Sequence, residues 1–366
     1  MTKAAELAKM GEVLTNSQIG GRRNIVINGA IQVAQRGDVT GITGESYGGP
    51  DRFELAASNI GTFTVSQSST APTGFKNSYK VDCTTADASL GSEDLLRVAY
   101  RIEGQDLQQL AYGTSSANTI TLSFYVRSNK AGTYNIQFQQ ADNSSKQAVV
   151  SYTISSANTW EFKTIIVQGD TSGVINDDNG EGLILFWVLG AGSLFTSGSE
   201  RSTYTAFSNG DVAPTQTVNL ADNTANEWMI TGVQLEVGSQ ATPFEHRSFG
   251  EELALCQRYY YHTYSYGSPA GTTFNQDYES PIIIIGTGNH GMGVCNGVYP
   301  VEMRAVPTIS FYASDGTANR IRYWGGSLSA YGTVNRSTRQ ILGMSFGAGT
   351  NPEDFYSAAL VCDAEL

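Results

Sequence analysis

Arg322-Tyr323-Trp324-Gly325-Gly326 sets two flat rings beside a guanidinium, and Tyr331 follows in a run rich in Gly and Ser. Such rings stack on the apolar faces of sugars while their polar edges stay wet, and Arg or Asn side chains bond hydroxyls. Arg322, Tyr323, Trp324 and Tyr331 are therefore the candidate ligand contacts. Alternation along a strand turns one of any adjacent pair inward, so core packing and a subunit interface compete with sugar contact at Tyr323 and Trp324. A second aromatic group, Tyr259, Tyr260, Tyr261, Tyr264 and Tyr266, lies upstream.

Other chemistry fails on spacing. Gly286-Thr287-Gly288-Asn289-His290-Gly291 fits G-x-G-x-x-G, but Val294, Asn296, Gly297 and Pro300 follow where a dinucleotide site needs a helix. It reads as a Gly-rich turn. Asn176-Asp177-Asp178-Asn179-Gly180-Glu181 gathers the oxygen ligands calcium prefers, yet placing Gly182 at the invariant EF-hand position leaves Val188 where the bidentate Glu belongs. A solvated turn is favoured over a looser calcium loop. His246, His262 and His290 each stand alone, and no Ser occupies a G-x-S-x-G elbow. His246 is expected to hydrogen-bond between domains. Carboxylates are plentiful, but nothing marks a glycosidase pair. The expectation is a protein with no catalytic residues, no metal and no cofactor.

With 22 basic against 34 acidic residues, the net charge of −12 argues against a nucleic-acid-binding surface. The longest apolar run, residues 183–189, is far short of the ~20 residues that span a bilayer and reads as a central buried strand. Residues 1–15 carry Lys3, Glu6, Lys9 and Glu12 and lack the apolar stretch of a signal peptide. Cys83, Cys256, Cys295 and Cys362 are far apart with no C-x-x-C pair, so free, mostly buried thiols are expected.

The elements around these residues are β. In residues 231–237, Val233, Leu235 and Val237 alternate with Gln234 and Glu236, the period of a half-buried strand. Pro243 takes the chain out of the sheet, and Phe249, Leu253, Leu255 and Cys256 then recur at helical spacing, with Glu251 and Glu252 at the helix start. Upstream, the hydrophobic pattern predicts strands at 53–56, 62–66, 79–83, 95–102, 119–127, 133–139, 149–154, 161–167, 183–189 and 227–237, with one or two helical turns at 103–110. A hairpin or bulge of 25–27 and 31–33 about Asn28-Gly29 is also expected. Trp160, Trp187 and Trp228 fall in strand patterns and are expected in the core. Downstream strands are predicted at 259–264, 282–286, 308–313, 320–324, 339–346 and 358–362. The fold class is all-β: a short amino-terminal helix, a jelly-roll β-sandwich, a linking helix and a carboxy-terminal β-sandwich domain. The boundaries are 1–23, 24–247, 248–258 and 259–366. Leu7, Met10 and Leu14 make a short coiled-coil-like seam in the first segment, favoured as an assembly element over a frayed end.

Three motifs carry a resemblance. The run from Gln234 to Tyr260, Q-L-E-V-G-S-Q-A-T-P-F-E-H-R-S-F-G-E-E-L-A-L-C-Q-R-Y-Y, resembles a segment of fibre and tail proteins of tailed bacteriophages, where it ends a jelly-roll-like module. The stretch from Ala5 to Gly37, with Asp51-Arg52-Phe53 after it, is similar to the start of virion fibre proteins of marine phages, particularly those of cyanobacteria. Tyr299-Pro300-Val301-Glu302-Met303-Arg304-Ala305, then Pro307-Thr308, is similar to a carboxy-terminal domain of such proteins. The strand pattern also resembles carbohydrate-binding jelly-roll modules. The resemblance implies a virion tail fibre, homotrimeric, assembled in the host cytoplasm. It docks on a tail adaptor or nozzle through Leu7, Met10 and Leu14 and attaches to host surface polysaccharide or lipopolysaccharide. Neither nucleic acid binding nor membrane insertion is implied. A head fibre or capsid decoration protein is the alternative, and a surface-polysaccharide hydrolase a further one; the parallel β-helix repeats on which phage depolymerases usually build are absent. Receptor binding is expected in the carboxy-terminal domain, at Arg322, Tyr323, Trp324 and Tyr331.

Overall fold

The computed structural model describes residues 3, 22–142, 145–274, 283–285, 295–323, 328–329, 332–334, 338–346 and 355–366; for 283–285, 295–297, 321–323, 328–329, 332–334, 341–346 and 355–357 it describes the backbone alone. Leu7, Met10, Leu14, Trp324, Tyr331 and the Gly-rich turn at 286–291 lie outside the described residues. Two compact units emerge. The first takes the chain up to Gln32, then Val39–Gly48 and Phe53–Arg247; the second takes Val33–Asp38, Gly49–Arg52 and Ser248–Leu366.

The first unit holds strands β1 (Val39–Ile42), β2 (Glu45–Ser46), β3 (Phe53–Ser58), β4 (Thr62–Ser68), β5 (Ser78–Thr85), β6 (Leu95–Glu103), β7 (Ile120–Ser128), β8 (Gly132–Gln140), β9 (Gln147–Ile154), β10 (Glu161–Val167), β11 (Glu181–Ala191), β12 (Arg201–Thr205) and β13 (Glu227–Val237). They form a six-stranded sheet, β1-β4-β5-β13-β7-β10, and a seven-stranded sheet, β12-β9-β8-β11-β6-β3-β2. Eight of them, β5-β13-β7-β10 in one sheet and β6-β11-β8-β9 in the other, run as first-eighth-third-sixth and second-seventh-fourth-fifth in chain order. That is the double Greek key of a jelly roll, so the architecture follows from the pairing itself.

Alternation fills the space between the sheets. Tyr79, Val81, Leu122, Phe124, Trp228 and Leu235 from one sheet meet Leu96, Val98, Ile136, Phe138, Leu185 and Trp187 from the other, all fully buried. Trp160 is the exception among the expected core tryptophans. It is half-buried in the loop before β10, where no strand exists to turn it inward.

Strand β13 changes face midway. Thr231 pairs with Tyr125 but Gln234 pairs with Ser123, so β13 spends one residue more than β7. Gly232 occupies the bulge at φ +62, where a Cβ would stand 2.7 Å from Phe75 Cζ. A glycine permits both the left-handed backbone and the ring resting on it. Gly232→Ala is expected to cost the jelly roll about 1–3 kcal/mol, read from the urea midpoint; an unchanged midpoint would show that the bulge relaxes freely.

The expected hairpin at 25–27 and 31–33 does not form. The segment is an irregular turn with Asn28 at φ 60 and Ile31 at φ 55, laid beside β13 by Ile25 N donating to Leu235 O and Val233 N donating to Gly29 O. Nor is β13 half-exposed. Gln234 and Glu236 are buried because the chain after the strand folds back over them. Gln234 Oε1 accepts from Glu245 N at 2.8 Å, and Glu236 Oε1 accepts from Thr242 N at 2.8 Å. Asn24 joins them, with Oδ1 accepting from Val26 N and Leu235 N and Nδ2 donating to Val233 O. Glu245 accepts from the amides of Arg23 and Asn24, and Arg247 donates to Val26 O and Asn24 O. Two motifs from opposite ends of the unit are one clamp.

In the second unit, α1 (Phe249–Gln257) begins at Ser248, whose hydroxyl accepts from Glu251 N, with Glu251 and Glu252 in the first turn, as the macrodipole favours. The strands are β14 (Tyr260–His262), β15 (Ile283–Ile285), β16 (Cys295–Val298), β17 (Thr308–Tyr312), β18 (Ile321–Tyr323), β19 (Leu328–Ser329), β20 (Gly332–Val334), β21 (Ile341–Phe346), β22 (Phe355–Ser357) and β23 (Ala359–Asp363). They pair as β14-β23-β17, β15-β22-β18-β19 and β16-β21-β20, every pair antiparallel. The chain is all-β, as its turns and alternation implied. Beside the first of these sheets lies a buried charge cluster. Arg52 and Arg36 both bind Glu365, Arg36 also meets Asp363 at 3.2 Å, and the guanidinium of Arg52 lies 3.4 Å over the Tyr259 ring. Cys256 and Cys362 are buried free thiols in this unit, as Cys83 is in the first.

Candidate functional site

The outer face of the seven-stranded sheet carries a polar group built around two arginines, and the register sets its rows. Glu54 pairs with Ala99, Ala99 with Phe186, Phe186 with Gln137 and Gln137 with Val149, so these five side chains cross the sheet in line. One step along, Ala56, Arg97 and Val188 make a second row; on the other side, Arg101, Ile184, Gln139 and Gln147 make a third. Directly opposed side chains stand close enough to touch.

The two arginines in this field differ. Arg101 is spoken for: Nη1 binds Glu54 and donates to the Tyr47 hydroxyl at 2.9 Å, and Nε meets Glu181 at 2.8 Å. Burial pulls its pKa down, but Tyr47, Glu54 and Glu181 outweigh that and raise it. Glu54 is held above its ordinary range by burial, with Arg101 opposing. Arg97 has no hydrogen-bond acceptor and no ion pair among the described residues. Its guanidinium carbon lies 3.8 Å from the centre of the Phe186 ring. Burial first, then the like charge of Arg101, push its pKa down to about 10.

The amides near it are partly engaged. Gln137 Nε2 donates to Gln147 Oε1 at 2.6 Å and Gln147 Nε2 to Ser208 O at 2.9 Å, while Gln137 Oε1 is buried without a partner. Asn135 is closed off by the segment ahead of β13, through Thr215 and Gln216. Gln139 and Arg97 stay half-buried. The face thus offers the half-buried guanidinium of Arg97, backed by a buried ring, and the half-buried amide of Gln139 on a rigid sheet; Phe186 and Gln137 themselves are buried.

The outer face of the six-stranded sheet bears a different group. Phe75 packs on Tyr125 (5.5 Å between centres), Phe244 (5.0 Å) and His246 (5.3 Å), and Tyr125 on Phe162 (5.0 Å). Phe162 is 49% exposed. His246 is exposed and stacked within this group. Alternation along Phe244-Glu245-His246-Arg247 sends Glu245 and Arg247 to the clamp and the two rings outward. A small polar cavity of about 170 Å³, lined by Arg22, Ile25, Gln105, Asp106, Gln108 and Gln109, lies beside the 3-10 turn Gly104–Leu110.

Of the residues singled out from sequence, Arg322 and Tyr323 occupy successive positions of β18, opposite Ser357 and Tyr356 of β22. The acidic loop is a hydrogen-bonded turn: Asp178 Oδ1 accepts from Gly180 N at 2.8 Å and Asn176 leans on Asp142. Sequence reasoning missed Arg97, Phe186 and Gln137. The available signal was the pair of arginines four apart in the otherwise apolar L-L-R-V-A-Y-R-I of β6, which alternation places on one face.

No protein-family model matches the chain, and no curated protein matches it. Among solved structures, the enzymatically active domain of tailspike protein 4 of bacteriophage CBA120 is similar over 59% of this chain at 12% identity and TM-score 0.32; the chain spans 21% of that structure. A family 11 carbohydrate-binding module of Clostridium thermocellum is similar over 55% of this chain and 99% of its own, at 12% identity and TM-score 0.29. A xylan-binding domain is similar over 56% and 96%, at 13% identity and TM-score 0.30.

Proposed function

We propose that this chain is a non-enzymatic fibre protein of a tailed bacteriophage, and that its jelly roll holds a host surface glycan on the outer face of the seven-stranded sheet. The observation that carries the reading is the Arg97–Phe186 stack beside Gln137 and Gln139. A guanidinium braced on a buried ring and a half-buried amide, set by cross-strand register on a rigid sheet, suit a hydroxylated ligand. The carboxylates of this face support binding rather than hydrolysis, since Glu54 and Glu181 are both held by Arg101. The fibre assignment rests on the three motifs.

The test is calorimetric titration of the full chain with purified bacterial surface polysaccharides, with a reducing-end assay run alongside. Binding without release of reducing ends is expected, and Gln139→Ala should weaken it about tenfold by removing one hydrogen-bonding group of the face. Progressive release of reducing ends would make the protein a hydrolase. Loss of binding in Trp324→Ala but not in Gln139→Ala would move the site to the second unit, where Arg322, Tyr323, Trp324 and Tyr331 were expected to bind.

The fibre reading also entails a homotrimer docked through residues 1–23. Exposed rings support association, with Phe249 44% and Tyr266 48% exposed and packed on each other at 5.2 Å. Light scattering should give a trimer mass for the full chain and for one lacking residues 1–23, the latter failing to join particles. A monomer at micromolar concentration overturns the trimer, and normal incorporation of the shortened chain overturns the docking role.

A further inference from the structure

We propose that Arg97 anchors a carboxylate subsite, so that the glycan taken by this face is an acidic one, carrying uronic or ulosonic acid residues. The inference deepens the glycan-binding reading and rests on it.

A guanidinium offers five donors in a rigid fork that matches a carboxylate, and leaving such a cation half-buried without an acceptor is costly. Arg97 is left so. Its neighbours could have satisfied it: Glu54 lies two strand positions away on the same face but is committed to Arg101, and Glu45, opposite Ala56 at the sheet edge, is exposed. In a chain whose net charge is −12, carboxylates are abundant; Glu54 and Glu45 act on this guanidinium through space, but none among the described residues forms an ion pair with it. The Phe186 ring fixes its plane from below, which holds the fork ready and lowers the ordering cost of a bidentate contact. Phe186, buried beneath the guanidinium, serves as its platform, and Gln139, half-buried two strands away on the same face, offers an amide to hydroxyls. A cation and an amide set apart on one sheet face suit the carboxylate and the hydroxyls of an acidic sugar.

Lowered by burial and by Arg101, the pKa of Arg97 still leaves it charged at neutral pH. Perturbed groups of this kind gather where ligands bind. The anion is identified by chemistry alone, and a sugar carboxylate is favoured over a phosphate because one planar fork faces the site and no second free cation flanks it among the described residues; Arg101 is already paired on two sides.

The experiment uses the full chain and a panel of uronic- or ulosonic-acid-containing bacterial polysaccharides, each paired with its carboxyl-reduced form. The expected result is at least one native polysaccharide bound about tenfold more tightly than its reduced form, as a charge-assisted hydrogen bond supplies, with the preference weakening as salt rises. Arg97→Gln should erase the preference while keeping the weaker binding of the reduced form, and Arg97→Lys should keep part of it. The melting temperature of Arg97→Gln should be unchanged or higher, because an unpaired half-buried cation is removed. Equal affinity for both forms, unaltered by Arg97→Gln, overturns the carboxylate subsite and leaves the glycan reading standing. A lowered melting temperature with loss of both forms shows Arg97 to be structural and likewise overturns it. Failure of every polysaccharide, native and reduced, overturns the glycan reading and the subsite with it.

Discussion

Glu365→Ala is expected to loosen the second unit by about 3–5 kcal/mol, the cost of breaking a buried ion pair from one side. The Glu365 side chain is 5% exposed. It is held from two directions: Arg52, 1% exposed, binds Oε2, and Arg36 meets Oε1 at 3.2 Å. Arg304 completes the lock, donating to Ala364 O at 2.7 Å and Glu365 O at 2.8 Å. Removing the carboxylate leaves Asp363 beside Arg36 and Asp51 acting on both guanidiniums, but the direct partner of Arg52, Glu365 Oε2, is lost in a buried place. The amide of Ala364, bonded to Tyr259 O at 2.8 Å, is the reporter. Its hydrogen exchange should speed up by about two to three orders of magnitude. Glu365→Gln, which keeps an acceptor but loses the charge, should fall between. Exchange at the wild-type rate in Glu365→Ala would mean that the cluster contributes nothing to stability.

The second large effect belongs to the first unit. Arg247 is 9% exposed and donates to Val26 O at 3.1 Å and to Asn24 O, with Glu245 at 3.4 Å. It ties down an irregular stretch whose own backbone makes few ladder bonds. Arg247→Ala would take a donor from two buried carbonyls, at about 1–3 kcal/mol for each, so a total of about 2–6 kcal/mol is expected, while Glu245 keeps the amides of Arg23 and Asn24. Arg247→Lys should recover little, since an ammonium on a flexible stem does not reproduce a planar fork that spans two carbonyls. Thermal unfolding should show the loss, and the amide of Ile25, bonded to Leu235 O, should exchange with the solvent ahead of the core strands. If Ile25 keeps its protection in Arg247→Ala, the clamp is held by Asn24 and Glu245 alone.

Both predictions bear on what the motifs do. The residues that carried the phage resemblance are largely spent on structure: Arg23, Asn24, Glu245 and Arg247 in one clamp, and Gln35, Arg36, Asp51, Arg52, Tyr259, Tyr260 and Arg304 around Glu365. Long runs of similar sequence there mark the scaffold, and the proposed ligand face lies outside them.

Residue order by itself determined the elements and much of the class. Strict alternation in β7 and β13, and the Ser248 cap with two acidic residues behind it, are encoded between neighbours a few positions apart, which is why strands and helix could be read directly. The same locality explains the failures. Asn28-Gly29 carries a hairpin's turn chemistry, but the chain around it pairs with β13, and no local signal announces a partner two hundred residues away. The bulge at Gly232 breaks the alternation, with Trp228 and Ile230 inward before it and Val233 and Leu235 after it, but only the pairing with β7 shows where the extra residue sits. Above all, only the tertiary structure could place Arg97 on Phe186 with Gln137 beyond it. Those three residues lie on β6, β11 and β8, brought side by side by the crossings of a jelly roll. Each strand fixes which way its side chains point; which ones then face a common ligand is decided by long-range pairing, driven by burial of the apolar faces between the two sheets.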